Sequence, residues 1–143
     1  MTKVISILVS LSMVLGISIT VLPQKTSAAQ ECTQTTIGKV CKEYTDYNLT
    51  ATFSKANVVK VVKEADTTSS NIYALATYVI GLINPPMGLQ AAMVTAGYNT
   101  TVSKFRDAKN AGKGLKYSYT YRLYKGGTTS TSYKVLNGKW SQY

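Results

Sequence analysis

Leu115-Lys116-Tyr117-Ser118-Tyr119-Thr120-Tyr121-Arg122-Leu123 is the stretch that decides the fold. Apolar and aromatic residues hold the odd positions and polar residues the even ones. That period of two sets one face of a strand on a core and the other in water. Gly112-Lys113-Gly114, just before it, marks a hinge or helix exit where the period changes. Beyond it Gly126-Gly127 turns the chain and Thr129 to Leu136 returns. Asn137-Gly138 is a strong two-residue turn signal, leaving Lys139 to Tyr143 as a last short strand. A two-residue loop would set Tyr121 against Ser132 and mix the faces. A three-residue loop, Gly126 to Thr128, sets Tyr121 against Tyr133 and Tyr119 against Val135, keeping apolar residues together. The sequence therefore predicts the three-residue loop, with Trp140 opposite Val135 on the same face.

Immediately upstream, residues 67 to 103 carry no charge. Thr68, Ser69 or Ser70 can cap a helix through Ile72, Leu75, Tyr78, Val79, Leu82 and Ile83. Asn84-Pro85-Pro86 must end it, since proline lacks the amide and restricts the residue before it. From Gly88 a second helix bearing Leu89, Ala92, Met93 and Ala96 is expected to run to about Ala108. The result is a helical hairpin whose glycines and alanines permit close approach. Each arm holds roughly 12–14 apolar residues, too few to cross a bilayer at 1.5 Å per residue. Two readings stand. The hairpin is a buried core, since a helix apolar all round is a buried one. Alternatively it inserts into a membrane after a conformational change, through Ile72, Leu75, Val79, Leu82, Ile83, Pro85, Pro86, Leu89 and Met93.

Further upstream, Cys41, Tyr47, Leu49, Ala51 and Phe53 share one parity, so a strand is expected near residues 43 to 53. Ser54 can cap a short helix carrying Val58, Val59, Val61 and Val62, although four valines would also suit a strand. Cys32 and Cys41 are the only cysteines. Their spacing excludes a CxxC redox pair, and without His they cannot form a usual zinc site. They are read as a disulfide staple around a turn at Thr33 to Lys39, stabilising by roughly 2–3 kcal/mol.

The amino terminus has the layout of a secretory signal peptide. Met1-Thr2-Lys3 gives a positive start, Val4 to Val21 is largely apolar, and Pro23 breaks the run. Ser27-Ala28-Ala29 places small residues at the −3 and −1 positions of a cut before Gln30. A membrane anchor is the competing reading of so long a run, but the Ser-Ala-Ala ending has no use in an anchor. The expectation is a signal peptide at 1–29, one mature domain at 30–143, and secretion to the extracellular space or cell wall.

Charge narrows the function. The mature stretch has 14 basic and 6 acidic residues, and residues 104 to 143 hold the whole excess of +8. Outside the cell such a surface points to anionic lipid headgroups, cell-wall polymers or acidic glycans rather than to nucleic acid. No His is present, which removes every His-dependent triad or dyad. Glu43 with Asp46, or Glu64 with Asp66, could pair as carboxylates for glycoside hydrolysis, but nothing in their surroundings suggests a raised pKa. No enzyme, cofactor or metal site is expected.

The order of parts resembles the small cationic, Sec-secreted, bacteriocin-like proteins of Gram-positive bacteria. The resembling pieces are Met1 to Ala29, the uncharged hairpin interrupted by Asn84-Pro85-Pro86-Met87-Gly88, and the Lys/Tyr-rich tail ending Asn137-Gly138-Lys139-Trp140. The resemblance is one of layout, and no functional residue carries over from it. It implies an antimicrobial protein with a membrane or envelope target, and an immunity protein that protects the producer.

The expected fold is α+β: a disulfide-stapled N-terminal β segment, a central apolar helical hairpin and a C-terminal antiparallel β-meander. The expected function is a secreted cationic protein acting on anionic bacterial membranes or envelopes. Lys113, Lys116, Arg122, Lys125, Lys134, Lys139 and Trp140 would bind the surface, at about 1 kcal/mol per cation near an anionic membrane. The alternative is a non-lytic extracellular module for cell-wall polymers or glycans.

Overall fold

The period-two stretch forms the centre of an antiparallel sheet. The computed structural model describes residues 24–25, 29–67, 70–126 and 132–143. Strands β1 (Gln24–Lys25), β2 (Ala29–Thr35) and β3 (Gly38–Phe53) come first. Four helices follow: α1 (Lys55–Thr67), α2 (Ile72–Leu82), α3 (Leu89–Ala96) and α4 (Tyr98–Asn110). Strands β4 (Leu115–Tyr124) and β5 (Tyr133–Gln142) close the chain. The class is α+β, as expected. Most of the expected signal peptide lies outside the described residues. Gln24 and Lys25, which that cut would remove, pair with Asn48 and Tyr47.

β3 is the longest strand because it serves two sets of partners. Its first half pairs with β2 from Thr35↔Gly38 to Ala29↔Tyr44, and its second half with β4 from Tyr44↔Tyr124 to Phe53↔Leu115. Cys32 and Cys41 are direct cross-strand partners, Cα atoms 4.0 Å apart, and are joined in a disulfide. A disulfide suits an oxidising, extracellular environment.

Pairing across β3 and β4 puts Leu49, Ala51, Phe53, Leu115, Tyr117, Tyr119 and Tyr121 on one face, against the helices. The valines of α1 are helical, with Val58, Val61 and Val62 buried and Val59 exposed. Ser54 begins that helix as expected, its Oγ accepting the Asn57 amide at 3.2 Å. These residues join Leu75, Val79, Leu89, Met93, Val102 and Phe105 in one core. One apolar layer of helices on one face of a sheet is a stable two-layer solution.

Four details depart from the sequence expectations. The cap of α2 is Asn71, not Thr68, Ser69 or Ser70; its side chain accepts the Tyr73 and Ala74 amides at 3.0 and 3.2 Å. Thr68 and Ser69 lie outside the described residues.

The second arm of the hairpin is two helices. Gly97, at φ +86, donates its amide to Met93 to end α3 and accepts the Thr101 amide to begin α4. Glycine takes that backbone region without the steric cost other residues meet.

The register between β4 and β5 is offset by two residues from the three-residue-loop expectation. Tyr121 faces Val135 and Leu123 faces Tyr133, while the Tyr124 amide donates to the Ser132 carbonyl. The expected loop, Gly126 to Thr128, falls largely on residues 127–131, which lie outside the described set. An even offset preserves the faces, which explains why alternation could not detect it.

Asn137-Gly138 is not a turn. It is a bulge inside a continuous β5, where both residues lie between the pairs Ser118↔Lys139 and Thr120↔Leu136. Asn137 takes the left-handed region at φ +55. A two-residue turn and a bulge both need such a residue, so the dipeptide signal was shared. Trp140 accordingly faces Tyr117, not Val135.

Candidate functional site

The outer face of the sheet carries the even-numbered side chains of β3 and β4 and divides into two halves. At one end the acids of the N-terminal zone meet the cations of the C-terminal zone. Arg122 forms a bidentate pair with Asp46 (Nε to Oδ1 2.8 Å, Nη2 to Oδ2 2.9 Å), and its Nη1 reaches Glu31 at 3.0 Å. Its guanidinium also lies 3.7 Å from the Tyr44 ring centroid. Planar, bidentate and stacked pairing is what Arg provides and Lys does not.

Glu31 accepts the Tyr124 hydroxyl at 2.5 Å and Lys134 Nζ at 3.0 Å. Those bonds, Tyr124 first, then Lys134 and Arg122, hold its carboxyl down at about 2. The Arg122 pKa is raised, chiefly by its bonds to Asp46. Lys125 pairs with Glu43 at 3.1 Å. Three of the six predicted surface-binding cations are thus already neutralised within the fold.

The other half of this face has no acid. Register puts Lys116 between Ser141 and Thr52, and Lys139 beside Ser118, whose other neighbour is Thr50. The two lysines are diagonal neighbours, close enough to act on one ligand. Thr50 and Ser118 share a hydroxyl hydrogen bond of 2.9 Å. Lys116 lies 4.8 Å from the Tyr143 ring centroid. Lys113 is exposed in the link between α4 and β4. Among the described residues Lys113, Lys116 and Lys139 have no ion-pair partner.

The inner face is structural. Trp140 is half-buried there, stacked on Tyr117 (centroids 3.9 Å, planes 12° apart) and edge-on to Phe105. It does not stand on the basic face. Of the predicted inserting residues, Leu75, Val79, Leu89 and Met93 are fully buried. Ile72, Leu82, Ile83 and Pro86 are half-buried, and Pro85 is exposed. Tyrosine hydroxyls tie the hairpin down: Tyr119 donates to the Met87 carbonyl at 2.7 Å and Tyr117 to the Ala92 carbonyl at 3.1 Å. Burial raises the pKa of both phenols. Among the described residues no helix is long and apolar enough to cross a membrane.

A second feature has no signature in the local sequence. Beside the bend of the hairpin lies a groove of about 670 Å³, between Pro85 to Ala91 and the Tyr121–Tyr133 pair, with Tyr73, Ile80, Val94 and Thr95 completing its wall. Tyr121 and Tyr133 stack with centroids 5.4 Å apart. Only the fold brings residues from α2, α3, β4 and β5 together here, so no local spacing announced it. The one available signal was that all of them come from stretches without acids.

No known family matches the chain, and no characterised protein or solved structure matches it either.

Proposed function

We propose that this is an exported basic protein that binds anionic polymers and headgroups of the bacterial envelope without inserting into the membrane. The observation that carries the reading is the acid-free half of the outer sheet face, where Lys116 and Lys139 stand unpaired among Ser and Thr hydroxyls. Flat, basic and hydroxyl-rich, it suits an extended anionic chain. The signal-peptide layout and the disulfide support delivery outside the cell.

A bacteriocin-like, membrane-inserting activity is the second reading, favoured by the uncharged stretch 67 to 103. Magnitudes weigh against it. Withdrawing Leu75, Val79, Leu89 and Met93 from the core would forfeit about 1.5–3 kcal/mol each. The sum rivals the roughly 5–15 kcal/mol that holds a typical domain together. Insertion would therefore amount to unfolding.

Dye-loaded vesicles rich in anionic lipid, together with isolated cell walls, separate the readings. Salt-sensitive adsorption without dye release is expected. Release at sub-stoichiometric protein would favour insertion, and no adsorption to either material would sink both.

A further inference from the structure

The groove beside the hairpin bend differs chemically from the basic face, and its side chains point to a different ligand. Its lining contains no charged residue, although the mature protein carries +8. It does contain unused hydrogen-bonding groups. The hydroxyls of Tyr98, Tyr117, Tyr119, Tyr124 and Tyr143 all donate within the protein. Those of Tyr73, Tyr121 and Tyr133, which line the groove, have no partner among the described residues, and neither has the Gln90 amide. The groove thus offers phenol rings and Ile80 as apolar surface, with three hydroxyls and an amide free at their edges.

From this we infer that the groove binds an uncharged saccharide. A pyranose ring has an apolar C–H face and a rim of hydroxyls that both donate and accept, which matches side chains that are half apolar and half wet. A proline-rich segment would also suit an aromatic-lined groove, and its free carbonyls would accept from the phenols and the amide, yet it brings few donors for the phenol and amide oxygens, whereas sugar hydroxyls serve both roles. An anionic sugar finds no counter-charge here. The volume lies within the usual range for small-ligand sites. The choice of a saccharide rests on the envelope-binding reading, whereas binding in the groove is measured independently of it. The basic face would hold the polymer's charge while the groove reads a neutral sugar unit.

The test is an NMR titration of the oxidised protein with chitotetraose, a neutral oligosaccharide, at low and high salt. Amide shifts are expected at Gly88, Gln90, Thr95 and Tyr133, with an affinity near 1 mM that salt does not change. Tyr133→Ala and Gln90→Ala, both at exposed positions, should weaken binding about tenfold each while melting temperatures stay close to the parent's. Parent protein without shifts at about 10 mM sugar would overturn the inference. So would shifts centred on Lys116 and Lys139 that fade with salt, or tighter binding of a proline-rich peptide to the same residues. Wall adsorption that persists when chitotetraose fails would leave the charge-based reading intact, and the reverse result would remove that reading alone.

Discussion

The Tyr121 ring occupies the space where residue 88 would carry a Cβ, and Gly88 sits at φ +72. Both facts demand glycine at the same position. Gly88 accepts the Ala92 amide and so begins α3, which makes this contact the point where the hairpin bend is seated on the sheet.

Gly88→Ala should therefore destabilise by about 2–3 kcal/mol, combining left-handed strain with overlap. Gly81 is the control. It is helical and exposed with open space around it, so Gly81→Ala should stabilise by roughly 0.5–1 kcal/mol. Thermal melts should move in opposite directions, and two variants of equal stability would show that the ring does not pack on the bend.

Stability in acid should depend on Glu31. Its carboxyl is held at about 2 in the folded protein against 4.5 as the reference value. A lowered folded pKa gives stability that is fully present above pH 4.5 and disappears as pH falls toward 2. Glu31→Gln should be less stable than the parent at pH 7, with the gap closing between those two values. Denaturant midpoints measured across the range would decide, and a gap that stays constant with pH would count against the Glu31 network.

Reducing the Cys32–Cys41 bridge should loosen one hairpin and leave the core. The bridge closes a short loop, worth roughly 2–3 kcal/mol on the chain-entropy account. It joins exposed positions of β2 and β3, away from Phe53, Leu115 and Tyr117. Amide protection should fall at Gln30 to Thr35 and persist at Tyr117 and Tyr119. Global loss of protection on reduction would mean that the hairpin is integral to the domain.

What the sequence reveals here tracks how local each signal is. Alternation from Leu115 to Leu123 identified the central strand and its inner face, because burial on one side repeats every second residue. The same alternation was silent on an even register offset, so Tyr121 was paired with Tyr133 when Val135 is its partner. Asn137-Gly138 announced a left-handed residue but not whether the chain reverses there. Gly97 interrupts an apolar helical pattern without a proline to mark it, so the pattern reads as one continuous helix. The basic face is half legible. Counting charge found the cations, but only the pairing of β3 with β4 brings Asp46 to Arg122 and leaves Lys116 and Lys139 unmatched.

That asymmetry among the cations gives a quantitative expectation. Lys116→Gln combined with Lys139→Gln removes two unpaired charges, so adsorption to anionic vesicles at low salt should weaken by about 2 kcal/mol, or roughly thirtyfold. Lys125→Gln combined with Lys134→Gln removes the same charge but takes from Glu43 its ion-pair partner and from Glu31 one of its three hydrogen-bonding partners. It should cost stability in addition to adsorption. Sedimentation with vesicles over a salt series reads the first effect and thermal melts the second. Equal loss of stability in both doubles would show that the two halves of the face do not differ as described.

The prolines at the hairpin bend test the central element. α2 ends at Leu82, Ile83 is extended, Pro85 is exposed and Pro86 is half-buried at the groove, so neither proline is a fully buried residue whose loss would leave a large hole in the core. Their contribution lies in the unfolded chain, where each restricts the backbone, and replacing both with Ala should cost about 1–2 kcal/mol. A second effect follows from the connection itself. Without prolines, residues 72 to 96 could form one uncharged helix, which at 25 residues is long enough to span a bilayer. That helix would carry Leu75 and Val79 away from Leu89 and Met93, with which they share the core, so it competes with the fold and does not strengthen it. Pro85→Ala combined with Pro86→Ala should thus melt at a lower temperature and bind vesicles more readily than the parent. A variant with a higher melting temperature and unchanged vesicle binding would show that the prolines strain the bend and do not preset it.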